Sequence, residues 1–376
     1  MTDITERLNI MQFGAVGDGT TDDSAALQSL LDAAPDAGGE AFIPAGDYLI
    51  DSSIAWPTNG GDGMNITLVG EGSAQIASGG TGIGGRYTGA TVLRAGTGIG
   101  TDSILVLSPT QPGGVAPFWA GGLRNLAFAR AAGSGKAILA NAILGGRMEN
   151  CSFYGFGEDA VDIRGEIFFD TNLSGLLFDN SQLHIRTRVN GTVFDRFQFT
   201  RCNLSTAAFR MSGSGTPNDS GVGAILRGHT YDSNEAPSIE VVKATGLVVR
   251  DGYFEKVHEG STDGFCIKVT GHASSSFQLN VLVEGCILDS NASTDIAFVE
   301  VNSSDILLSM RNCRISEQGG GNSYFTRFNS TTRCEVDWDT CGASSNNGMT
   351  NIFLSTTTPP TGFTRLHTPS GINTEE

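Results

Sequence analysis

Leu123-Arg-Asn-Leu-Ala-Phe128, Met148-Glu-Asn-Cys-Ser-Phe153 and Leu173-Ser-Gly-Leu-Leu-Phe178 are three versions of one short phrase. An apolar residue opens it, Asn or Gly stands third, and an aromatic or aliphatic residue closes it. The phrase returns as Phe199-Thr-Arg-Cys-Asn-Leu204, Leu226-Arg-Gly-His-Thr-Tyr231, Val249-Arg-Asp-Gly-Tyr-Phe254, Val283-Glu-Gly-Cys-Ile-Leu288 and Met310-Arg-Asn-Cys-Arg-Ile315. The closing residues are 25, 25, 26, 27, 23, 34 and 27 positions apart. A second apolar segment with period two follows most of them: Val161–Ile163, Leu183–Ile185, Phe209–Met211, Ile239–Val241 and Ile267–Val269. Alternation of that kind marks a half-buried strand. A repeat of this length with short strands and no helix is one coil of a β-solenoid, and the Leu-x-x-Leu-x-Leu signature of leucine-rich repeats is missing.

Stacked coils place equivalent side chains about 4.8 Å apart. Phe128, Phe153, Phe178 and Phe254 then form an inward column, and so do Cys151, Cys202, Cys286 and Cys313, read as buried free thiols. Asn125, Asn150 and Asn312 fall where the coil bends, a place that favours residues tolerant of unusual backbone angles. His229 stands in the inward column and reads as a packed side chain.

Composition agrees with the repeats. Gly is 51 of 376 residues and charged residues are 17%, a turn-rich all-β profile. Lys plus Arg is 23 against 40 Asp plus Glu, a formal charge of −17, which excludes the basic footprint of a nucleic-acid binder. No apolar run approaches the length of a membrane helix, so no membrane insertion is expected. The first 23 residues lack a basic start and an apolar core, so no signal peptide is expected and synthesis is placed in a cytoplasm. The seven cysteines show no zinc-site spacing.

The start reads Phe13-Gly-Ala-Val-Gly-Asp-Gly-Thr-Thr-Asp-Asp-Ser-Ala-Ala-Leu-Gln28, then Gly38-Gly39 and Phe42-Ile-Pro-Ala-Gly-Asp-Tyr-Leu-Ile50. This pattern predicts a strand, a glycine turn and a helix from Thr21 or Asp22 to the Gly pair, with Leu27, Leu30, Leu31 and Ala34 as its apolar stripe. Such a helix would cover the open edge of the first coil. The stretch resembles the opening of the pectate-lyase-like superfamily, and Leu68-Val-Gly-Glu-Gly72 and Thr91-Val-Leu93 continue the resemblance. It implies an all-β, right-handed single-stranded parallel β-helix with an N-terminal capping helix. The expected organisation is cap and first coil over 1–50, helix over 51–341, and a polar tail or cap over 342–376. Asp18, Asp22 and Asp23 are read as structural.

The superfamily holds polysaccharide lyases, glycoside hydrolases, epimerases and bacteriophage tailspike depolymerases. The polygalacturonase motif set is mostly absent, echoed only by Ser261-Thr-Asp-Gly264 and Gly271-His272, and the epimerase Asp-Pro-His-Glu is missing. A tailspike-type depolymerase fits by elimination. That resemblance implies a homotrimer, a bacterial surface polysaccharide as partner, and a virion tail or extracellular location after cytoplasmic synthesis.

Two outward columns carry candidate chemistry. Asp232, Glu255 and Asp289 follow the closing residues of three successive coils, a carboxylate stack suited to acid–base work on a glycosidic bond. Arg227, Arg250 and Glu284 precede the bend in the same coils and would orient the sugar, with Tyr253 stacking on a ring face. The alternative face is His184, Arg210 and Glu240, where a histidine base beside an arginine would suit elimination from a uronate. No organic cofactor or resident metal is expected; Ca²⁺ is the one ion such carboxylates could take. The alternatives to hydrolysis are a polysaccharide lyase and a non-enzymatic, glycan-holding receptor-binding tail protein.

Overall fold

The computed structural model describes residues 8–34, 39–59, 62–63, 65–73, 89–107, 119–130, 135–141, 143–164, 167, 171–186, 189, 192–202, 204, 206–212, 224–232, 237–244, 246–255, 264–271, 279–290, 296–302, 305–317, 323–330, 333–339, 341–345, 353–355 and 363–367. The chain forms two compact units, Met1–Leu183 and His184–Glu376. Each is a parallel β-helix. Among the described residues the one α-helix is Ser24–Ala33, here α1, and the one antiparallel pairing joins Thr58–Asn59 to Asp62–Gly63. No helix of the described residues is long and apolar enough to cross a membrane.

One coil of the second unit shows the plan. Ala224–Arg227 lies in the first sheet, a left-handed bend at Gly228 follows, then Thr230–Asp232 and Ile239–Ala244. The next coils repeat it with Gly246–Arg250, Tyr253–Glu255 and Gly264–Gly271, then Leu279–Glu284, Ile287–Ser290 and Ile296–Asn302. Parallel pairing keeps these strands in step, for example Leu226 with Val249 and Val249 with Val283. Strands at Gly342–Ser345, Phe353–Ser355 and Phe363–His367 carry the ladders into the stretch read as a polar tail.

The bend explains the third position of the phrase. Asn125, Asn150, Asp251 and Asn312 have φ of 58°, 52°, 54° and 52°, and Gly175, Gly228 and Gly285 take the same place at 63°, 64° and 66°. That region is costly for most L-residues and cheapest for Gly and Asn. The next position holds the cysteines. Cys151, Cys286 and Cys313 each donate a thiol hydrogen bond to the carbonyl two residues back (Glu149, Glu284 and Arg311) at 3.5, 3.4 and 3.4 Å. Cys151, Cys202, Cys266, Cys286, Cys313 and Cys341 are free and buried. Burial pushes the Cys151 thiol up to about 12, which keeps it unreactive.

One repeat is framed differently from the sequence reading. Phe199 pairs with Tyr231, and Asp195 with Arg227, so the fourth phrase is Phe194-Asp-Arg-Phe-Gln-Phe199 rather than Phe199–Leu204. Cys202 therefore leaves the expected thiol column and caps a second bend at Arg201, while Cys341 joins it beside Cys313. A local look-alike, Thr-Arg-Cys, fitted the pattern five residues downstream of the true phrase.

Inside the first unit Phe128, Phe153 and Phe178 stack at 5.2 and 4.9 Å with near-parallel rings. Inside the second, Phe199, Tyr231 and Phe254 stack at 5.0 and 4.9 Å. Each such pair adds about 0.5–1.5 kcal/mol beyond its burial. His229 is fully buried against Phe197. Its Nε2 lies 3.1 Å from the Phe194 carbonyl and its Nδ1 3.1 Å from the Tyr231 hydroxyl. A carbonyl only accepts, so Nε2 carries the proton and Nδ1 accepts from tyrosine. Trp56 and Trp119 pack edge to face at 5.7 Å in the first unit.

At the N-terminus α1 begins at Ser24, later than the sequence suggested, because Asp18–Asp22 is a strand. Asp23 turns away from the helix: its carboxylate accepts from Val16 N at 2.7 Å and Gly17 N at 3.0 Å. Asp22 meets Ser24 N at 3.0 Å, and Asp18 binds Thr20 N and Thr21 N at 2.8 and 2.7 Å. Those amide bonds lower Asp18 to about 2. All three aspartates thus serve the turn. Gly17, at φ 67° and with the Tyr48 ring 3.0 Å from where a Cβ would sit, would be strained by any side chain. The stripe Leu27, Leu30, Leu31 and Ala34 is buried as expected.

Candidate active site

The carboxylate column lies where the repeats put it. Tyr231 pairs with Phe254, so Asp232 and Glu255 follow on adjacent strands, and Glu255 pairs directly with Asp289. Thr200 precedes Asp232 and Ser316 follows Asp289. All five are half-exposed, while Phe199, Tyr231, Phe254, Leu288 and Ile315 between them point inward and are buried. Alternation along each short strand sends the carboxylates outward.

Tyr253 shares the strand and the outward face of Glu255. Its hydroxyl lies close to both Glu255 and Asp289, which stand on successive coils. Partial burial, then the negative charge of those two carboxylates, raises its pKa above the ordinary phenol value. Tyr253 is therefore protonated at neutral pH. Ile287 lies beside Tyr253 in register and is 41% exposed, an apolar neighbour for that ring.

Arg227, Arg250 and Glu284 belong to the first sheet, across the bend from the carboxylates. Arg227 Nε lies 2.8 Å from Asp195 Oδ1, and Arg250 Nε 2.9 Å from Glu284 Oε2. Their ion pairs run along their own sheet. Asp195, which also meets Arg196 at 3.0 Å, is the partner that sequence reading missed. Correct framing on Phe194 and Phe199 would have placed it in the column.

The alternative face also divides. Arg210 pairs in register with Glu240, Glu240 with Lys268, and Lys268 with Glu300. Arg210 Nε is 3.0 Å from Glu240 Oε2 and Lys268 Nζ is 3.7 Å from Glu300 Oε1. His184 is 2% exposed, with Nε2 2.7 Å from Ser212 Oγ. In the first unit Asp162 is buried between Lys136 and Arg164, at 3.7 and 3.1 Å. His258 and His272 lie outside the described residues.

The profile of the rhamnogalacturonase A/epimerase, pectate lyase-like family matches residues 7–205, over half of the chain. The chain belongs to that family. Mannuronan C5-epimerase AlgE4 of Azotobacter vinelandii is 40% identical over 73 residues, covering 18% of this chain and 13% of that protein. The tail spike protein of Shigella phage Sf6 is 37% identical over 81 residues, covering 20% of this chain and 12% of that protein. ORF18 of Geobacillus virus E2 has a similar structure, with a TM-score of 0.66 at 18% identity over 88% of this chain and 61% of that one. The chain thus spans a small part of its curated relatives, and the structural likeness speaks for the fold. Pectate-lyase-like β-helices, phage tailspikes and glycan-acting enzymes are its neighbours.

Proposed function

We propose that this chain binds and cleaves a bacterial surface polysaccharide, as a phage tailspike-type depolymerase working by glycosidic hydrolysis. The observation that carries this is the run of three carboxylates on successive coils, with one tyrosine hydroxyl reaching two of them. Charge that repeats along a column costs stability, and a site that must hand protons to and from a sugar oxygen gives a use for it. Adjacent coils set carboxyls about 5 Å apart, and alternate coils about 10 Å, the upper end of the inverting range. In this reading Asp232 and Asp289 are the acid and base of an inverting reaction, and Glu255 positions the water between them. One carboxylic acid gives its proton to the leaving oxygen while the other carboxylate takes one from water. Virion-tail location and a homotrimer belong to the same proposal, supported by likeness to tailspikes.

A second reading is elimination from a uronate polymer at His184, Arg210 and Glu240. In it His184, held 2.7 Å from Ser212 Oγ, would be the base. A panel of capsular and O-antigen polysaccharides separates the readings. New reducing ends without ultraviolet absorbance mean hydrolysis. Absorbance from unsaturated uronates means elimination, and Ca²⁺ dependence would accompany it if the ion sat among the carboxylates. Binding without cleavage means a receptor-binding protein. Near-normal activity in both Asp232→Asn and Asp289→Asn would remove the carboxylate site.

A further inference from the structure

One contact away from the carboxylate column joins a base to a nucleophile. His184 Nε2 lies 2.7 Å from Ser212 Oγ. The imidazole is buried, whereas Ser212 is half-exposed at the end of the strand Phe209–Ser212. Phe209 and Met211 point inward and are buried, so alternation puts Arg210 and Ser212 on one outward face. Later coils hold Val242, Thr270 and Asn302 at the serine's place, and the column beside them is tied by Arg210–Glu240 and Lys268–Glu300. The fold is satisfied at those places without a histidine–serine pair, so it does not demand one here.

We infer that Ser212 and His184 form a second, hydrolytic site, one that removes carboxylic ester groups. In the tautomer protonated at Nδ1, Nε2 accepts the serine proton, which is the relation of an activated hydroxyl to its base. A base held in the packed interior behind a nucleophile that faces solvent is the order such a pair needs. Ser212 Oγ attacks the ester carbonyl carbon while its proton passes to His184 Nε2. The tetrahedral intermediate expels the alcohol, which takes that proton back from the imidazole. Water, giving a proton to the same nitrogen, then frees the carboxylic acid and restores the serine. Arg210, about 7 Å along the strand on a long side chain, is the cation that can turn toward the oxygen where negative charge develops. The ester class follows from the pair itself. That the ester is an O-acyl group on a glycan rests on the function proposed above.

Two probes test it on the full chain: a fluorophosphonate, which phosphonylates an activated serine with loss of fluoride, and para-nitrophenyl acetate. The expected result is a single adduct on the peptide that carries Ser212, together with ester hydrolysis above the buffer rate. Ser212→Ala should lose both. His184→Gln keeps a hydrogen-bonding group near the place of Nε2, so a contact that only ties strands survives it. A base does not, and both rates should fall by about 10²–10⁴-fold at unchanged circular dichroism. On an O-acetylated capsular polysaccharide, free acetate reads this site and new reducing ends read the carboxylate column. Acetate without reducing ends keeps the ester site and counts against the depolymerase. Reducing ends with neither acetate nor adduct do the opposite. An adduct rate indifferent to His184→Gln overturns the pair. Should the variants unfold, the native chain decides alone: no adduct at Ser212 overturns the inference, and an adduct there with ester hydrolysis upholds it.

Discussion

Along Arg210, Glu240, Lys268 and Glu300 each charge meets its opposite on the next coil, whereas Asp232, Glu255 and Asp289 put like beside like. Both columns run along strands of the same coils, half-exposed except at the buried Glu300. At a strand spacing, two carboxylates repel by about 1 to 3 kcal/mol, depending on how far water screens them. The alternating column converts that same term into attraction and pins the register of its strands. The difference separates charge that serves the fold from charge that the fold only tolerates, and it points to the tolerated set as the working one.

The largest effect should come from breaking the repeating column. Asp232→Asn and Asp289→Asn should each lower depolymerase turnover by about 10²–10⁴-fold, read as reducing ends released, with unchanged melting. Glu240→Gln in the alternating column should keep activity within about twofold. Reversal of that order would assign the chemistry to His184, Arg210 and Glu240.

The interior sets a limit on how acidic such an assay can be. Burial holds His229 at about 4, below its ordinary 6.5, despite the bond to Phe194. The unfolded chain then takes up a proton more readily than the folded one. Stability is complete above about pH 6.5 and is lost as pH falls toward 4, by about 3 kcal/mol in the limit. Denaturant midpoints across that window should show the slope, and His229→Phe should flatten it. An unchanged slope in the variant would place the acid sensitivity in the surface columns instead.

Tyr253→Phe sharpens the comparison at smaller cost. Loss of one hydroxyl between Glu255 and Asp289 should cost about 1 kcal/mol in thermal denaturation and reduce turnover by roughly tenfold. The smallest effect is expected from the alternating column itself. A double-mutant cycle on Arg210 and Glu240, the half-exposed pair of that column, should give a coupling of about 0.2–1 kcal/mol that shrinks with added salt. A larger coupling in the repeating column than in this one would undo the distinction.

Much of this was legible in the sequence because a solenoid repeats its physics. The Phe128–Phe153–Phe178 stack, the left-handed Asn positions and the line of Asp232, Glu255 and Asp289 all follow from counting along coils of nearly equal length. Counting failed where the coil length changed. The slip at Phe199 moved Cys202 into the wrong column and hid Asp195, since Thr-Arg-Cys imitates a bend that the chain also makes. The start of α1 was missed for another reason: Asp23 looks like a helix cap but bonds backward to Val16 and Gly17. Which outward charges pair was also illegible, because pairing depends on the neighbour across coils.

The thiol positions at the bends offer a use as a clock. Cys151, Cys286 and Cys313 are shut away from solvent, each bonded to a carbonyl of its own bend. A thiol reagent reaches such a sulfur only while its coil is open, so the rate of labelling, residue by residue, measures the free energy of opening at that point along the solenoid. Nature has in effect placed one chemical probe per reporting coil, and mass spectrometry of labelled peptides would chart where the solenoid breathes without adding a single foreign group to the native chain.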